Sequence, residues 1–191
     1  MNTDKICIFT NQGTMHQVKA QDIPAGKYRD KGTPIDNLSN YNSGKEAIIE
    51  VMAAESVISS SFLFVTAQGM LKIMDGIELK AAKRTVASTK LMGGDELIRI
   101  IPVSMDPDLE DKVILQTKGG VFLKFLLSDV PAKKKAAIGV KGIKLTKDDM
   151  ISEVYVMEAQ QISSIMYKKK KLEFNKLKLS KRDTKGSKIR R

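Results

Sequence analysis

Lysine and arginine recur in four short clusters along this chain of 191 residues. Each cluster comes after a predicted β-hairpin in the chain. It lies just before, or at the start of, a short segment that contains Lys-Gly or a variant of it. Ammonium and guanidinium groups bind phosphate oxygens, so a regular series of them suits a polyanion such as DNA. The predicted DNA-binding residues are Lys27, Arg29, Lys31, Lys80, Lys83, Arg84, Lys133, Lys134, Lys135, Lys141, Lys144, Lys178, Lys181, Arg182 and Lys185.

The residue types that usually carry catalysis or bind metals are scarce. The chain has one cysteine, Cys7, and one histidine, His16, which argues against an intrachain disulfide, a metal centre and a catalytic triad. We expect Cys7 to be a core residue and His16 to be a surface residue. The acidic pairs at 95–96 and 148–149 recur at equivalent turns, so a structural role is predicted for them. No catalytic residue, metal ligand or cofactor is predicted.

The basic excess is concentrated in the second half of the chain. Residues 1–111 contain 12 basic and 15 acidic side chains, a net charge of −3, whereas residues 112–191 carry 21 and 7, a net of +14. Residues 168–191 alone hold 12 basic and 2 acidic side chains. This asymmetry indicates a polyanionic partner, although a solvated basic tail would have the same composition.

Composition predicts a folded cytoplasmic protein. Hydrophobic residues make up 42% of the chain, which is enough for a core. The most apolar stretch, 57–65, is interrupted by three serines and is far shorter than a membrane span. Residues 1–10 lack the apolar region of a signal peptide. The single cysteine suits a reducing compartment.

The elements that must position the cationic clusters recur with a period of about 50 residues. Three hairpins are predicted around Gly13, Gly69 and Gly120, because a tight hairpin turn needs a residue with positive φ. Each is followed by a cationic connector, a Lys-Gly element, a small acidic turn and a strand. The Lys-Gly elements are 31–35, 141–145 and 185–189, with a degraded copy at 87–91, and the acidic turns are 43–46, 93–96 and 147–149.

Repeats of this size, each with about four strands, predict propeller-like blades in an all-β fold. The predicted division places three blades in 1–160, at about 1–56, 57–107 and 108–160. A partial fourth blade and a basic C-terminal tail then occupy 161–191. An independent α/β domain is the competing interpretation, but long segments of helical period are missing. About three and a half blades predict an open arc.

If the blades stack radially, equivalent connectors lie along one rim and form a curved basic track. Duplex DNA carries one charge per roughly 1.7 Å of axis, so such a track would bind it through phosphates. Following a curved rim requires bending the duplex, at about 1–6 kcal/mol that the phosphate contacts must exceed. Few side chains are arranged to read bases.

Three motifs carry a resemblance to a known family. They are Gln-Asp-Ile-Pro at 21–24 leading to 31–38, Gln-Thr-Lys-Gly-Gly at 116–120, and 138–145. In this order they resemble the blade motifs in the C-terminal domain of the A subunit of bacterial type IIA topoisomerases, DNA gyrase and topoisomerase IV. The resemblance covers nearly the whole chain.

The resemblance implies a β-pinwheel, a propeller-like disc whose blades exchange strands and whose basic perimeter bends DNA. It implies three partners: double-stranded DNA, a separate cleavage-religation core and an ATPase subunit. The family's catalytic tyrosine lies upstream and nothing here matches it, so we expect no enzymatic activity from this chain alone. The implied parent is an ATP-dependent type II DNA topoisomerase of the bacterial cytoplasm, associated with the nucleoid. The box that distinguishes gyrase is not found here, so gyrase and topoisomerase IV both stay open.

Two hypotheses of other classes remain. The chain could be a propeller-type protein-interaction scaffold whose basic tail binds acidic partners. In that case the tail, and not the blades, would carry any DNA affinity. A complete enzyme is the third hypothesis, which the missing nucleophile and nucleotide motifs oppose.

Overall fold

A computed structural model describes residues 4–106, 108–158 and 163–189, and these residues form an all-β architecture. In chain order the strands are β1 (Lys5–Thr10), β2 (Thr14–Lys19), β3 (Ile48–Ala53), β4 (Ser61–Thr66), β5 (Met70–Asp75), β6 (Thr85–Ala87), β7 (Leu97–Val103), β8 (Lys112–Thr117), β9 (Val121–Leu126), β10 (Val140–Lys141), β11 (Ile151–Met157), β12 (Ser164–Tyr167), β13 (Lys170–Glu173) and β14 (Ser187–Lys188).

In the part of the chain that the structure describes, helical structure is confined to short segments. The α-helix α1 (Ala54–Ile58) links the first and second repeats, and no sequence pattern predicted it. The described 3₁₀ turns are Ala20–Asp22, Ile35–Asn37, Gly76–Leu79, Leu127–Asp129 and Phe174–Lys176.

The strands form three four-stranded antiparallel sheets followed by a two-stranded hairpin. The strand orders are β3-β1-β2-β6, β10-β5-β4-β7, β11-β8-β9-β14 and β12-β13. The predicted hairpins are confirmed as β1–β2, β4–β5 and β8–β9. Their turn glycines Gly13, Gly69 and Gly120 have φ values of 70°, 77° and 78°. Among the described strands no pairing joins the last hairpin to the first sheet, so the arrangement is open.

Each four-stranded sheet contains one strand that belongs to the following repeat. The strand that leads into the Lys-Gly element of the second repeat, β6, completes the first sheet, and the one that leads into the element of the third repeat, β10, completes the second. The fourth repeat supplies β14 to the third sheet in the same way. The strand exchange implied by the resemblance is therefore present, and a short strand from each following repeat completes the sheet before it.

The pairing register corrects the alignment of the fourth Lys-Gly element. Lys141 pairs with Met70, directly after the turn glycine, and the residue at the same place in the third sheet is Lys188, opposite Val121. The counterpart of Lys141 is therefore Lys188 and not Lys185. The match at 185–189 was wrong because it aligned Gly186 with the wrong glycine of the third repeat.

The glycines confirm this register. Gly139 and Gly186 both have positive φ, at 107° and 68°. A Cβ on Gly139 would lie 2.5 Å from the backbone oxygen of Leu71, and a Cβ on Gly186 would lie 2.7 Å from that of Phe122. Each glycine lets an exchanged strand approach the neighbouring backbone closely.

The core lies between successive sheets, because alternate residues of a strand point to opposite faces. In β4, Phe62 and Phe64 pack towards the first sheet with Phe9, whereas Leu63 and Val65 pack towards the third sheet. A third cluster joins the third sheet to the last hairpin through side chains such as Ile114, Phe122 and Phe174. Both faces of the central sheets are therefore buried, and the polar connectors are left at the sheet edges.

The acidic turns are structural, as predicted. The Oδ1 atom of Asp95 accepts hydrogen bonds from the backbone N–H groups of Gln68 and Glu96, at 2.9 and 2.8 Å. Asp149 Oδ1 accepts from Gly119 and Met150 in the same way, both at 2.9 Å. Each carboxylate thus joins the start of a strand to the neighbouring hairpin turn.

Candidate nucleic-acid interface

The second, third and fourth connectors are the segments that carry the basic clusters at 80–84, 133–135 and 178–185. They occupy the same position on successive sheets. Each runs along the free edge of the second hairpin strand of the preceding sheet, beside the exchanged strand. The N–H of Gln17 donates to the carbonyl oxygen of Arg84 at 2.7 Å, and that of Lys133 donates to Ile73 at 2.8 Å. In the third sheet Ser180 donates to Lys124 at 2.8 Å. The basic clusters therefore recur along one edge of three sheets.

A buried polar side chain of the preceding sheet holds the backbone of each of these connectors. Gln17 Nε2 donates to the carbonyl oxygens of Ala81 and Lys83, at 3.1 and 3.0 Å. Lys124 Nζ donates to the carbonyls of Phe174 and Asn175, at 2.9 and 3.3 Å, and burial lowers its pKa. These anchors fix where the connectors lie.

Lys72 is the strongest of these anchors. Lys72 is 1% exposed. Its ammonium group donates to the carbonyl oxygens of Lys134, Lys135 and Ala137 at 3.1, 3.1 and 2.9 Å. The same ammonium lies 5.6 Å from the centroid of the Phe64 ring. Burial lowers the pKa of Lys72 to about 8, against the opposing field of Glu78.

Sequence reasoning missed these three anchors. For Lys72 and Lys124 the available signal was a lysine inside a largely apolar strand, which does not by itself distinguish a buried anchor from a solvent-facing residue. The carbonyls that satisfy Lys72 are more than 60 residues away in the chain.

Contacts between connectors link the clusters to one another. Arg84 forms a 3.8 Å ion pair with Asp22 at the start of the first connector. The N–H of Lys90, just after the second connector, donates to the carbonyl of Lys135 in the third at 3.2 Å. The guanidinium of Arg182 in the fourth connector donates to the carbonyl oxygens of Lys141 and Asp129.

Most of the predicted binding residues are free to meet a ligand. Of the fifteen, thirteen are exposed, and Lys135 and Arg182 are half-buried. The twelve in the second to fourth repeats lie on the three connectors or in the Lys-Gly element 141–145. Lys27, Arg29 and Lys31 are exposed in the first connector, which has no preceding sheet among the described residues; Asp22 at its start pairs with Arg84 of the second connector.

His16 is buried, so the prediction that it is a surface residue was wrong. It is 1% exposed, with Nε2 at 3.1 Å from Glu46 Oε2 and Nδ1 at 3.1 Å from Thr85 Oγ1. Thr10 Oγ1 donates to the same Glu46 oxygen at 2.8 Å. Burial alone would raise the pKa of Glu46, but hydrogen bonds from His16 and Thr10 outweigh it and hold that pKa below its usual value. The cluster joins two repeats, since Thr85 lies on the exchanged strand β6.

Cys7 is in the core, as predicted: it is 2% exposed, and burial raises its thiol pKa to about 11. Across the described residues, no group of three or more His, Cys, Asp or Glu side chains is placed to hold a metal ion. None of the helices that the structure describes is long and apolar enough to cross a membrane.

These features define a propeller-like repeat protein with strand-exchanged blades and a cationic edge. The family profile described as "DNA gyrase C-terminal domain, beta-propeller" matches residues 4–53, 60–104 and 111–156. The chain therefore belongs to the DNA gyrase C-terminal domain family.

Similar curated proteins are much longer than this chain. The DNA gyrase A subunit of Lawsonia intracellularis (strain PHE/MN1-00) is 30% identical over 161 residues, which cover 84% of this chain and 19% of that protein. The DNA topoisomerase 4 A subunit of Bacillus subtilis (strain 168) is 28% identical over 166 residues, covering 86% and 20%. The chain thus spans about a fifth of the length of these relatives.

Solved structures share this fold. The C-terminal domain of DNA topoisomerase IV aligns with a TM-score of 0.85 at 24% identity, covering 98% of this chain and 59% of that one. The C-terminal domain of E. coli ParC aligns with a TM-score of 0.80 at 18% identity, covering 99% and 78%.

Proposed function

We propose that this chain binds and bends double-stranded DNA along the edge formed by its connectors. The observation that carries the proposal is the recurrence of exposed lysine and arginine on connectors anchored to the same edge of three successive sheets. A duplex running along this edge would meet cations at the spacing of the sheets. Its phosphates would release counterions on binding, which supplies most of the sequence-independent affinity.

The anchors explain how a flexible, charged segment becomes a defined surface. Lysine side chains repel one another, so an unanchored connector would spread its charges. The buried donors Gln17, Lys72 and Lys124 hold each backbone against its sheet and direct the cations outwards. A duplex that touches all three connectors must follow the course of the sheets. We propose that phosphate contacts offset the bending free energy, which is about 1–6 kcal/mol for a short site.

In its parent protein, we propose, the chain is the DNA-wrapping C-terminal module of a type II topoisomerase A subunit, either gyrase or topoisomerase IV. It would present DNA to a separate cleavage core, with ATP hydrolysed by another subunit, in the bacterial cytoplasm at the nucleoid. The division into blades at about 1–56, 57–107 and 108–160, with a partial blade at 161–191, is part of this proposal. The family membership and the sheet order support it.

The test is the salt dependence of DNA binding. About eight neutralised phosphates would give a slope near −7 in a plot of log affinity against log salt concentration. Replacing Lys133 and Lys134 with Gln should reduce the slope by about 2. The matched control replaces the exposed lysines Lys19 and Lys45 with Gln, which should leave it unchanged. A wild-type slope near zero would overturn the proposal.

The same measurement separates this proposal from an interaction scaffold with a basic tail. Deleting 168–191 cannot do so, because it removes β14 from the third sheet and the buried Phe174 from the core. The substitutions in the third connector leave that region intact. If the scaffold hypothesis is right, they will not affect DNA affinity, whereas neutralising Lys178 and Lys181 in the tail will weaken it.

A further inference from the structure

The tip of the last hairpin carries a cationic group that the connector edge does not include. The first three hairpins turn through a glycine, but the fourth turns through Lys168 and Lys169, which have φ values of 49° and 64°. Tyr167 pairs with Lys170 across a two-residue loop, so both central residues are left-handed, a geometry that favours Asn-Gly. Lysine at both positions is strained, and Lys171 adds a fourth consecutive lysine.

Packing fixes the position of this tip against the turn of the third sheet. The ring of Tyr167 meets that of Phe122 edge-on, with centroids 5.0 Å apart. The Tyr167 hydroxyl lies so close to Gly120 that a Cβ there would be 2.3 Å from it. Lys168 Nζ lies 5.1 Å from the centroid of the Tyr167 ring. The tip is therefore docked on the third sheet.

Two further lysines lie at this end of the third sheet. Lys118 is exposed in the turn that contains Gly120, and Lys188 is exposed on β14 opposite Val121. We call Lys118, Lys168, Lys169 and Lys188 the turn-end patch. Asp149 lies beside this patch, and its carboxylate accepts a hydrogen bond from the N–H of Gly119 and feels the charge of Lys188.

The equivalent positions on the earlier sheets are less basic. The counterparts of Lys118 are Asn11 and Ala67, and those of Lys188 are Ala87 and Lys141. The turn-end patch is thus a local feature of the third sheet and fourth repeat, and it is not a general property of the fold.

We propose that a DNA duplex leaving the connector edge at the fourth connector continues onto the turn-end patch. Lys185 of the fourth connector and Lys188 of the patch are three residues apart, which is at most about 10 Å of extended chain. The two cationic surfaces are therefore continuous, and a duplex, with its dense row of phosphates, is the partner that can contact both. This inference rests on the proposed function, because it extends the path of the same DNA.

The test replaces Lys168 with Asn and Lys169 with Gly. This pair removes two charges and suits the left-handed turn, so the hairpin should fold at least as well as in the wild type. With a duplex long enough to span all three sheets, the expected result is about tenfold weaker binding and a salt slope reduced by about 2. The Lys19→Gln/Lys45→Gln variant is the charge-matched control, and Lys45 lies at the corresponding end of the first sheet.

The outcomes separate the two proposals. If the wild type binds DNA and the Lys133→Gln/Lys134→Gln variant weakens it, the proposed function stands. An unchanged affinity and slope for the hairpin variant would then overturn the turn-end contact alone. If the wild type fails to bind DNA, both proposals fall. The turn-end contact would also be overturned if the hairpin variant lost no more DNA affinity than the Lys19→Gln/Lys45→Gln control. Such a loss would reflect the change in net charge only.

Discussion

Replacing Lys72 with Met should loosen the third connector and destabilise the protein. The substitution keeps the length and apolar packing of the side chain but removes the donor to three carbonyl oxygens. At about 1 kcal/mol for each of the three hydrogen bonds lost, the cost is about 3 kcal/mol. Removing a desolvated charge recovers part of this, so we expect a decrease of about 2 kcal/mol in the free energy of unfolding at pH 7.

The pH dependence gives a sharper signature. The pKa of Lys72 is about 8 in the folded protein against an ordinary value of 10.5, so above pH 8 the unfolded chain holds the extra proton. Stability from this group therefore rises with pH. Between pH 7 and 9 the difference in unfolding free energy between wild type and the Lys72→Met variant should widen by about 1 kcal/mol.

Two assays check these expectations. Urea unfolding at pH 7 and 9 measures the widening difference, with the exposed Lys90→Met as control. Limited trypsin digestion should cut faster after Lys134 and Lys135 in the Lys72→Met variant, while cleavage after Lys83, which Gln17 anchors, stays unchanged. A pH-independent difference together with an unchanged cleavage rate at the third connector would refute the anchoring role.

Three further predictions test other parts of the structure. Gly76→Ala should destabilise the fold by about 3 kcal/mol, because its Cβ would lie 1.7 Å from the carbonyl oxygen of Val57; an unchanged melting temperature would contradict this. Glu46→Gln should remove part of the dependence of unfolding on acid. Because the pKa of Glu46 is lowered in the folded protein, its carboxylate stabilises the fold above pH 4.5, and this stabilisation is lost as the pH falls through the folded pKa. Acid unfolding curves identical to wild type would exclude this. The pKa of Cys7 is raised from 9.0 to about 11, so its thiolate fraction at pH 8 is about 100-fold lower in the folded than in the unfolded chain. Its reaction with a thiol reagent should be slower by that factor. Equal rates would show that the thiol is accessible in the folded protein.

The repeating elements could be predicted from sequence because their determinants are local. Turn glycines such as Gly13 and Gly69 must have positive φ, and alternating apolar residues mark the hairpin strands. The acidic turns were also predictable, since the carboxylates of Asp95 and Asp149 each accept a hydrogen bond from the N–H of the next residue, just before a strand begins. These features need only a few consecutive residues.

The features that were missed depend on distant partners. Burial of His16 is compensated by Glu46 and Thr85, which are 30 and 69 residues away. The register of the fourth Lys-Gly element was missed because the third repeat has glycines at both 139 and 142. Only the approach to Phe122 shows that Gly186 corresponds to the first of them.

The location of the cationic side chains was partly predictable. Their recurrence placed them at one position of the repeat, but that position is an edge of the preceding sheet and not of the repeat's own sheet. The anchoring donors left only an ambiguous sequence signal, because a lysine such as Lys72 within a strand could equally face solvent.

Strand exchange also gives the molecule a direction. When a repeat loses its structure, the sheet before it is left with three strands, whereas the sheet after it keeps all four. Cooperativity between neighbours is therefore polarised, and local opening should spread more readily towards residue 1 than towards residue 191. A pulling force or a proteolytic nick would thus have different consequences at the two ends of the same array.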